Sequence, residues 1–508
     1  SIVMITKFNG YQELYTSVKV EANIIKVSNN KIHARGKSIS IYIKLATSYY
    51  KPNPRHYILS SLAKKYDLKN INEAAVSKYK SLYYTQSIHT NNYNINNTYN
   101  FSRYIMISSS LYNLPMTRNG IWSFNNDDTY NLGAFLTNYS NCFGGNLKDC
   151  INPLFDFLKL IHKTGKSPAR KMYKARGSFS FNNFDMFGNT FLKGDNLNIS
   201  YNPLGQTNLV PFILDYYRYS NDLNFVKHYY SLIKDNVDFV ISNLKKDKNN
   251  KYVFYPSTSI GDTFKIDNEL CYISDGCTSD DIFIYELMYD FILINRDLGY
   301  DEAINKPYVD IILNMHHIGI NNKNYIMPYH SDYKVARPSY TLLTHVTNVF
   351  SKDYKPTSVV TDANKNTILK MEDYKNDGSL RASLTHFYAN LGMKKEFYES
   401  FNKFIDNNVS DSLLSLDSDV NLMGNFQIGK AIHDAFIIPK FFKLYLNQSL
   451  PKDITNYSLK GFPVYNNIVV DLIKTDNEFV INYKSKDYYV NLKTGSNRID
   501  LNELFNLN

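Results

Sequence analysis

The chain has 508 residues, enough for two or three domains or for one large helical barrel with appendages. A hydrophobic content of 44% and a charged content of 20% describe an ordinary globular protein, and the net charge of +10 is not gathered into a basic stripe or an Arg-rich helix, which argues against a nucleic-acid binder. No run of eighteen apolar residues occurs, which excludes a helical membrane span.

In chain order, Val18 to Ala22 and Ser38 to Lys44 alternate apolar and polar residues with period two, so residues 1–54 are expected to form a small β region. Residues 55–100 read as a linker with two helices, Ala75 to Tyr84 among them, closed by a polar Asn-rich loop from Asn91 to Asn100. From 101 to 449 the period is helical. Ile151, Leu154, Phe155, Leu158 and Ile161 fall on one face, as do Leu232, Ile233, Val237, Val240, Ile241 and Leu244. Val210 to Tyr219, Ile282 to Ile294, Leu380 to Leu391, Phe397 to Ile405 and Ala431 to Leu446 complete the helices. Long polar loops between them suit a toroid of helical hairpins better than a bundle with short turns. Residues 450–508 return to strands at Ile468 to Ile473, Phe479 to Tyr483 and Tyr488 to Leu492, a C-terminal β domain.

Cys142, Cys150, Cys271 and Cys277 have spacings that fit neither a zinc ribbon nor a redox C-x-x-C, so free thiols are expected. The adjacent pairs His316-His317 and Asp280-Asp281 point to different helix faces and make poor metal sites. No Walker loop, His-Glu-x-x-His or Gly-x-Ser-x-Gly is present, and neither a metal nor a cofactor is expected. Ser1-Ile-Val-Met-Ile-Thr-Lys carries no leader pattern, which favours an intracellular or virion-associated protein over a secreted one. The 44 Tyr and 31 Phe beside a single Trp read as drift under A+T-rich coding, as in a large DNA virus or a parasite.

One stretch organises the rest. Phe101-Ser-Arg-Tyr-Ile-Met-Ile-Ser-Ser-Ser110 runs through Asn113-Leu-Pro to Asn119-Gly-Ile-Trp122, a helix end passing into a loop that delivers the only tryptophan. This string resembles the entry to the catalytic barrel of glycoside hydrolase family 95, the inverting α-L-fucosidases and α-L-galactosidases. Ala169-Arg-Lys-Met-Tyr-Lys-Ala-Arg-Gly177, Asn183-Phe-Asp-Met-Phe-Gly188 and Gly424-Asn-Phe426 resemble further blocks of that family, in the same order. The resemblance implies a mainly α fold, an (α/α)6 toroid with a reduced N-terminal β region and a C-terminal β domain.

An inverting glycosidase needs a protonated acid at the leaving oxygen and a base that activates water on the opposite face. In the resembled family the acid is a glutamate of a Pro-Ser-x-Ser-Pro-Glu-Asn loop. Here the run is Pro256-Ser-Thr-Ser-Ile-Gly-Asp262, with Gly261 at the acid position and Asp262 one place along. Leu132 and Ala134 stand where the family holds water with two asparagines, and Asn131 is adjacent but out of register. Tyr325 to Tyr333 resembles the segment with the base-side carboxylate, which places that role on Asp332.

The sugar-binding set implied by the resemblance is Trp122, Asn131, Asn183, Asp185, His345 and Asn425, with Phe181-Asn182 and Tyr340-Thr-Leu342 replacing family histidines and an arginine. A pocket that exchanges imidazole and guanidinium for Phe, Tyr and Leu loses donors for sugar hydroxyls. Two readings follow. One is a catalytically degenerate glycosidase-like protein kept for glycan or protein binding or for self-assembly. The other is a live hydrolase that uses Asp262 and Asp332.

Overall fold

The computed structural model describes residues 2–8, 12–29, 31–111, 114–122, 130–194, 197–333, 335–337, 343–352, 354–371, 377–440, 443–476, 478–491 and 497–506. The chain divides into two compact units, Ser1–Lys80 and Ser81–Asn508.

In the first unit, strands Ile2–Phe8, Gln12–Glu21 and Ser40–Thr47 form an antiparallel sheet in that order, with a separate hairpin of Ile24–Ser28 and Lys31–Arg35. Helix α1 (Pro54–Leu62) starts at Asn53, whose side chain accepts from His56 N, and α2 (Leu68–Tyr83) follows. Ile58 of α1 packs on Tyr15 and Ala46 of the sheet.

In the second unit helices alternate between an outer and an inner ring. The outer ones are α3 (Tyr93–Ser109), α5 (Asn152–Met172), α8 (Leu223–Asn243), α10 (Lys306–Leu313), α11 (Ser358–Met371) and α13 (Lys394–Asn407). The inner ones are α4 (Leu132–Asn138), α7 (Val210–Ser220), α9 (Thr278–Asp297), the 3-10 helix Thr344–Phe350, α12 (Gly378–Leu391) and α14 (Met423–Phe436). A short helix, α6 (Leu197–Ser200), lies in the loop before α7.

α4 touches the turn Thr207–Leu209 that leads into α7, each later inner element touches the next, and α14 closes back on α4, so the six hairpins form a ring. Alternation puts the N-termini of all inner elements at one end and their C-termini at the other. The expected (α/α)6 toroid is what the chain forms.

The apolar period explains the helices. Leu154, Phe155, Leu158 and Ile161 of α5 and Leu232, Ile233, Val237 and Val240 of α8 are all buried. Two expectations fail locally. The Asn-rich stretch 91–100 is mostly helix, because Asn92 caps α3 by accepting from Ile95 N at 3.1 Å and Ile95 and Tyr99 turn inward. The helix over 431–446 stops at Phe436. The chain then runs as strands Ile437–Lys440 and Lys443–Leu446, where Ile437, Ile438 and Pro439 disfavour a helix.

The main C-terminal sheet is antiparallel, ordered Lys486–Tyr489, Phe479–Tyr483, Ile468–Lys474, Tyr457–Val464 and, on the far edge, Ser87–Thr90. Its register lines up Ile88, Leu459, Leu472 and Ile481 in one buried row.

Candidate active site

The loop Pro256–Asp262 crosses the ring at the end where inner helices begin. Ser257 and Ser259, two residues apart on an extended backbone, point the same way, and Thr258 between them donates to Tyr272 O on the other side. Ser257 Oγ donates to Asp280 Oδ2 and Ser259 Oγ to Asp262 Oδ2, both at 2.6 Å. Two buried carboxylates are thus sealed behind one loop. Asp262 is 1% exposed, and its carbonyl accepts from Tyr329 OH at 3.2 Å. Asp280 stands in the first turn of α9, where burial outweighs its bond from Ser257 and pushes its pKa up to about 7.

His345, at the start of the 3-10 helix, places Nδ1 3.6 Å from Asp262 Oδ2, too long for a hydrogen bond. Burial lowers its pKa, only partly offset by the Asp262 charge, so the ring is neutral at pH 7. Beside Asp280, Asp281 Oδ2 meets His330 Nε2 at 2.6 Å. Burial opposes the His330 charge, but the Asp281 bond and the surrounding aspartates win and its pKa rises. His316 stacks on His330 with centroids 4.1 Å apart and reaches Asp247 Oδ2 at 3.0 Å.

Asn131 and Asn183 are brought directly opposite each other by the pairing of Tyr130–Asn131 with Asn183–Phe184. Asn131 caps α4 by accepting from Ala134 N at 2.9 Å, and Leu132 and Ala134 are buried inside the first turn. Asp185 is spent on its own turn: it accepts from Phe187 N, Asn189 N and Asn189 Nδ2, each at 2.9 Å. Asn425 is likewise a clamp, accepting from Ser415 N and donating to Leu413 O, both at 2.8 Å.

Trp122 is 37% exposed and lies over Gly120, whose φ of +67° closes the turn on Thr117. Asp332 is exposed. It lies between Tyr329 and Tyr333, which hold Phe264 with ring centroids 4.7 and 4.2 Å away. Tyr340, Thr341, Leu342 and Asn113 lie outside the described residues.

Residues 59–436 match the model of the glycosyl hydrolase family 95 catalytic domain. The chain belongs to glycosyl hydrolase family 95. It is similar to alpha-L-fucosidase 2 of Arabidopsis thaliana, 25% identical over 209 residues, a stretch that spans 40% of this chain and only a quarter of that relative. Among solved structures it resembles a protein assigned as a kojibiose phosphorylase from the human microbiome, with TM-score 0.64 and 11% identity over 98% of this chain and 76% of that one. An α-L-rhamnosidase of Streptomyces avermitilis superposes with TM-score 0.50 and 11% identity over 82% of this chain and 41% of that one. At these identities the structures speak for the fold alone.

Within this family 95 chain, sequence reasoning passed over Asp280. An adjacent acidic pair on a helix was weighed only as a metal site. In the first turn, however, Asp280 and Asp281 meet different loops, Ser257 and His330 respectively. The signal available was Ser-x-Ser in an extended loop facing an acidic helix start. Asp377 was passed over too: it sits before α12 near Asp417, and burial together with that second carboxylate pushes its pKa up to about 7. Ser379 binds both carboxylates through Oγ, at 3.3 and 3.0 Å, and its N–H donates to Asp417 at 2.9 Å. Among the described residues no group of three His, Cys, Asp or Glu could hold a metal ion.

Proposed function

We propose that this family 95 chain is a catalytically degenerate glycosidase of the α-L-fucosidase type, kept for glycan or protein binding or for self-assembly. The observation that carries the reading is the burial of Asp262, 1% exposed and sealed by Ser259, behind the position where the resembled family has its acid and this chain has Gly261. Inversion needs two carboxyl groups facing a shared space of roughly 6.5–9.5 Å that holds sugar and water. A sealed Asp262 cannot donate into such a space, and Leu132 and Ala134, buried in α4, hold no water. The division at residues 54, 100 and 449 into β region, linker, barrel and β domain is part of the same proposal.

A second reading, a live hydrolase of α-L-fucosides using Asp262 and Asp332, draws support from the aromatic clamp. Phe264, two residues after Asp262, is held by the two tyrosines that flank Asp332. The deciding experiment is hydrolysis of aryl α-L-fucoside and α-L-galactoside by the purified chain, with Asp262→Asn and Asp332→Asn as controls. No turnover is expected from any of the three. Turnover by the wild type that both substitutions abolish would overturn the degenerate reading, and turnover that both keep would sink the Asp262–Asp332 mechanism.

A further inference from the structure

The candidate site occupies the end of the ring where the inner helices begin. Inside the ring lies a cavity of about 290 Å³, lined by residues of all six inner elements, from Asn208 just before α7 and Thr344 at the start of the 3-10 helix to Asn390 and Asp434 near the ends of α12 and α14. Its volume sits near the small end of ligand pockets, ~300–1,000 Å³, which suits a single ring. One wall is aromatic: Phe212 from α7, Phe283 from α9, Phe350 from the 3-10 helix and Phe387 from α12.

The floor is a closed polar network. Gln427 Nε2 donates to His386 Nδ1 at 2.6 Å, which leaves His386 Nε2–H to donate to Asp434 at 2.8 Å. Asp434 also takes Lys430 at 2.5 Å, His433 at 2.9 Å and Asn390 at 2.9 Å. These donors hold the Asp434 carboxyl far below the usual carboxylate range against the penalty of its burial. Nothing in that floor is free to bind a ligand.

Three other lining groups keep hydrogen-bonding or charge capacity unused. Asn208 and Thr344, 2% and 6% exposed, carry Oδ1 and Oγ1 atoms with no hydrogen-bond partner, each a cost of about 1–3 kcal/mol that a ligand hydroxyl would offset. Lys352 is paired with Asp215 and Lys430 with Asp434. Lys440 donates to Val349 O at 2.5 Å and, among the described residues, has no carboxylate partner. The lining therefore carries one ammonium outside an ion pair, on which Asp434 and Glu286 act at longer range, two unmatched neutral polar groups and an aromatic face.

We propose that this cavity is a second ligand site, which takes one sugar ring bearing a carboxylate, a hexuronate. Lys440 meets the carboxylate, Asn208 and Thr344 meet hydroxyls, and the phenylalanines cover the C–H face of the ring. A single ammonium outside an ion pair suits a monocarboxylate better than a phosphate dianion. Asp262 is not among the residues that line it, Thr344 adjoins His345 beside Asp262, and the proposal does not depend on whether the chain hydrolyses fucosides.

Isothermal titration calorimetry of the full chain with D-galacturonate, D-glucose and benzoate tests the assignment. Galacturonate should bind at least tenfold more tightly than either comparator, and Lys440→Met should remove that preference while Lys440→Arg retains part of it. Undetectable galacturonate binding at millimolar concentration, or equal affinity for benzoate, overturns the proposal, as does unchanged affinity in Lys440→Met. Should Lys440→Met fail to fold, galacturonate soaked into wild-type crystals decides instead: density against Lys440 and Thr344 supports the site, and density elsewhere or none refutes it.

Discussion

Asp280 offers the sharpest test of the buried chemistry. Its carboxyl titrates near 3.8 in an unfolded chain and at about 7 in the fold, because burial disfavours the charge more than the Ser257 bond favours it. Between those two values the folded chain keeps a proton that the unfolded chain has released, so stability falls as pH rises. The stabilising contribution is complete below pH 4 and gone above about pH 7. About three pH units at ~1.4 kcal/mol each give a loss of roughly 4 kcal/mol.

Asp280→Asn removes the titration and keeps the shape. Guanidinium unfolding of wild type and variant at pH 4 and pH 8 measures it, the constant cost of altering the Ser257 bond cancelling between the two pH values. The variant should gain up to about 4 kcal/mol on the wild type between pH 4 and pH 8. Asp281 and His330 titrate in both proteins and subtract out to first order. A stability difference that stays constant within about 0.5 kcal/mol across that range would refute the burial argument, since that is the error expected of independent contributions.

Other consequences are simpler to state. Arg103 is buried and donates to Leu82 O at 3.0 Å, Tyr83 O at 2.9 Å and Thr85 Oγ1 at 3.1 Å, as well as to Gly145 O. Arg103→Met should therefore cost at least about 3 kcal/mol in denaturant unfolding, the sum of several stranded acceptors. Gly177 has φ +80°, and a Cβ there would stand 1.9 Å from Asp235 O, so Gly177→Ala should lower the melting temperature and cost more than about 2 kcal/mol. For the cavity, loss of hydration pushes the Lys440 ammonium down to about 8. Galacturonate affinity should accordingly fall as pH passes 8, read by calorimetry between pH 6.5 and 9.5. The other titratable groups around Lys440 are Asp434, Lys430, Lys352, Glu286, His386 and Asp215.

The ring was legible wherever a repeated apolar period marks a buried face, as in Leu154, Phe155, Leu158 and Ile161. The Ala-Arg-Gly block was legible too, and Gly177 shows why it ends in glycine. Local polarity misled at Asn91 to Asn100, where one asparagine serves as a cap and two apolar residues suffice to anchor the turn. Roles at the site were less legible for a related reason. Asn, Asp and Ser satisfy backbone groups as readily as ligands, and a sequence does not say which. Asn131, Asp185 and Asn425 were read as sugar-binding groups from the resemblance, and each spends hydrogen bonds on the fold. The cavity had no local signature at all, because its lining comes from the six inner elements and the strand Ile437–Lys440, spread between Leu136 and Lys440.

The surroundings of the Pro256–Asp262 loop and the cavity differ in what their polar groups have left to offer. At the end where the inner helices begin, Asp262 is bound by Ser259, Asp280 by Ser257 and Asp281 by His330, while Asn425 ties the loop at Leu413 and Ser415. A catalytic carboxylate is held by neighbours yet keeps a lone pair or a proton directed at the substrate, which is what the proposed degenerate reading denies to Asp262. In the cavity, Asn208 and Thr344 keep hydrogen-bonding capacity, and Lys440 a charge outside an ion pair, that the protein does not use. Unsatisfied polar atoms are costly in a folded chain and rare for that reason. Their coincidence in one aromatic-walled cavity is therefore better explained by a ligand than by indifferent packing, and it directs the search for this protein's binding activity to the inside of the ring rather than to the Pro256–Asp262 loop.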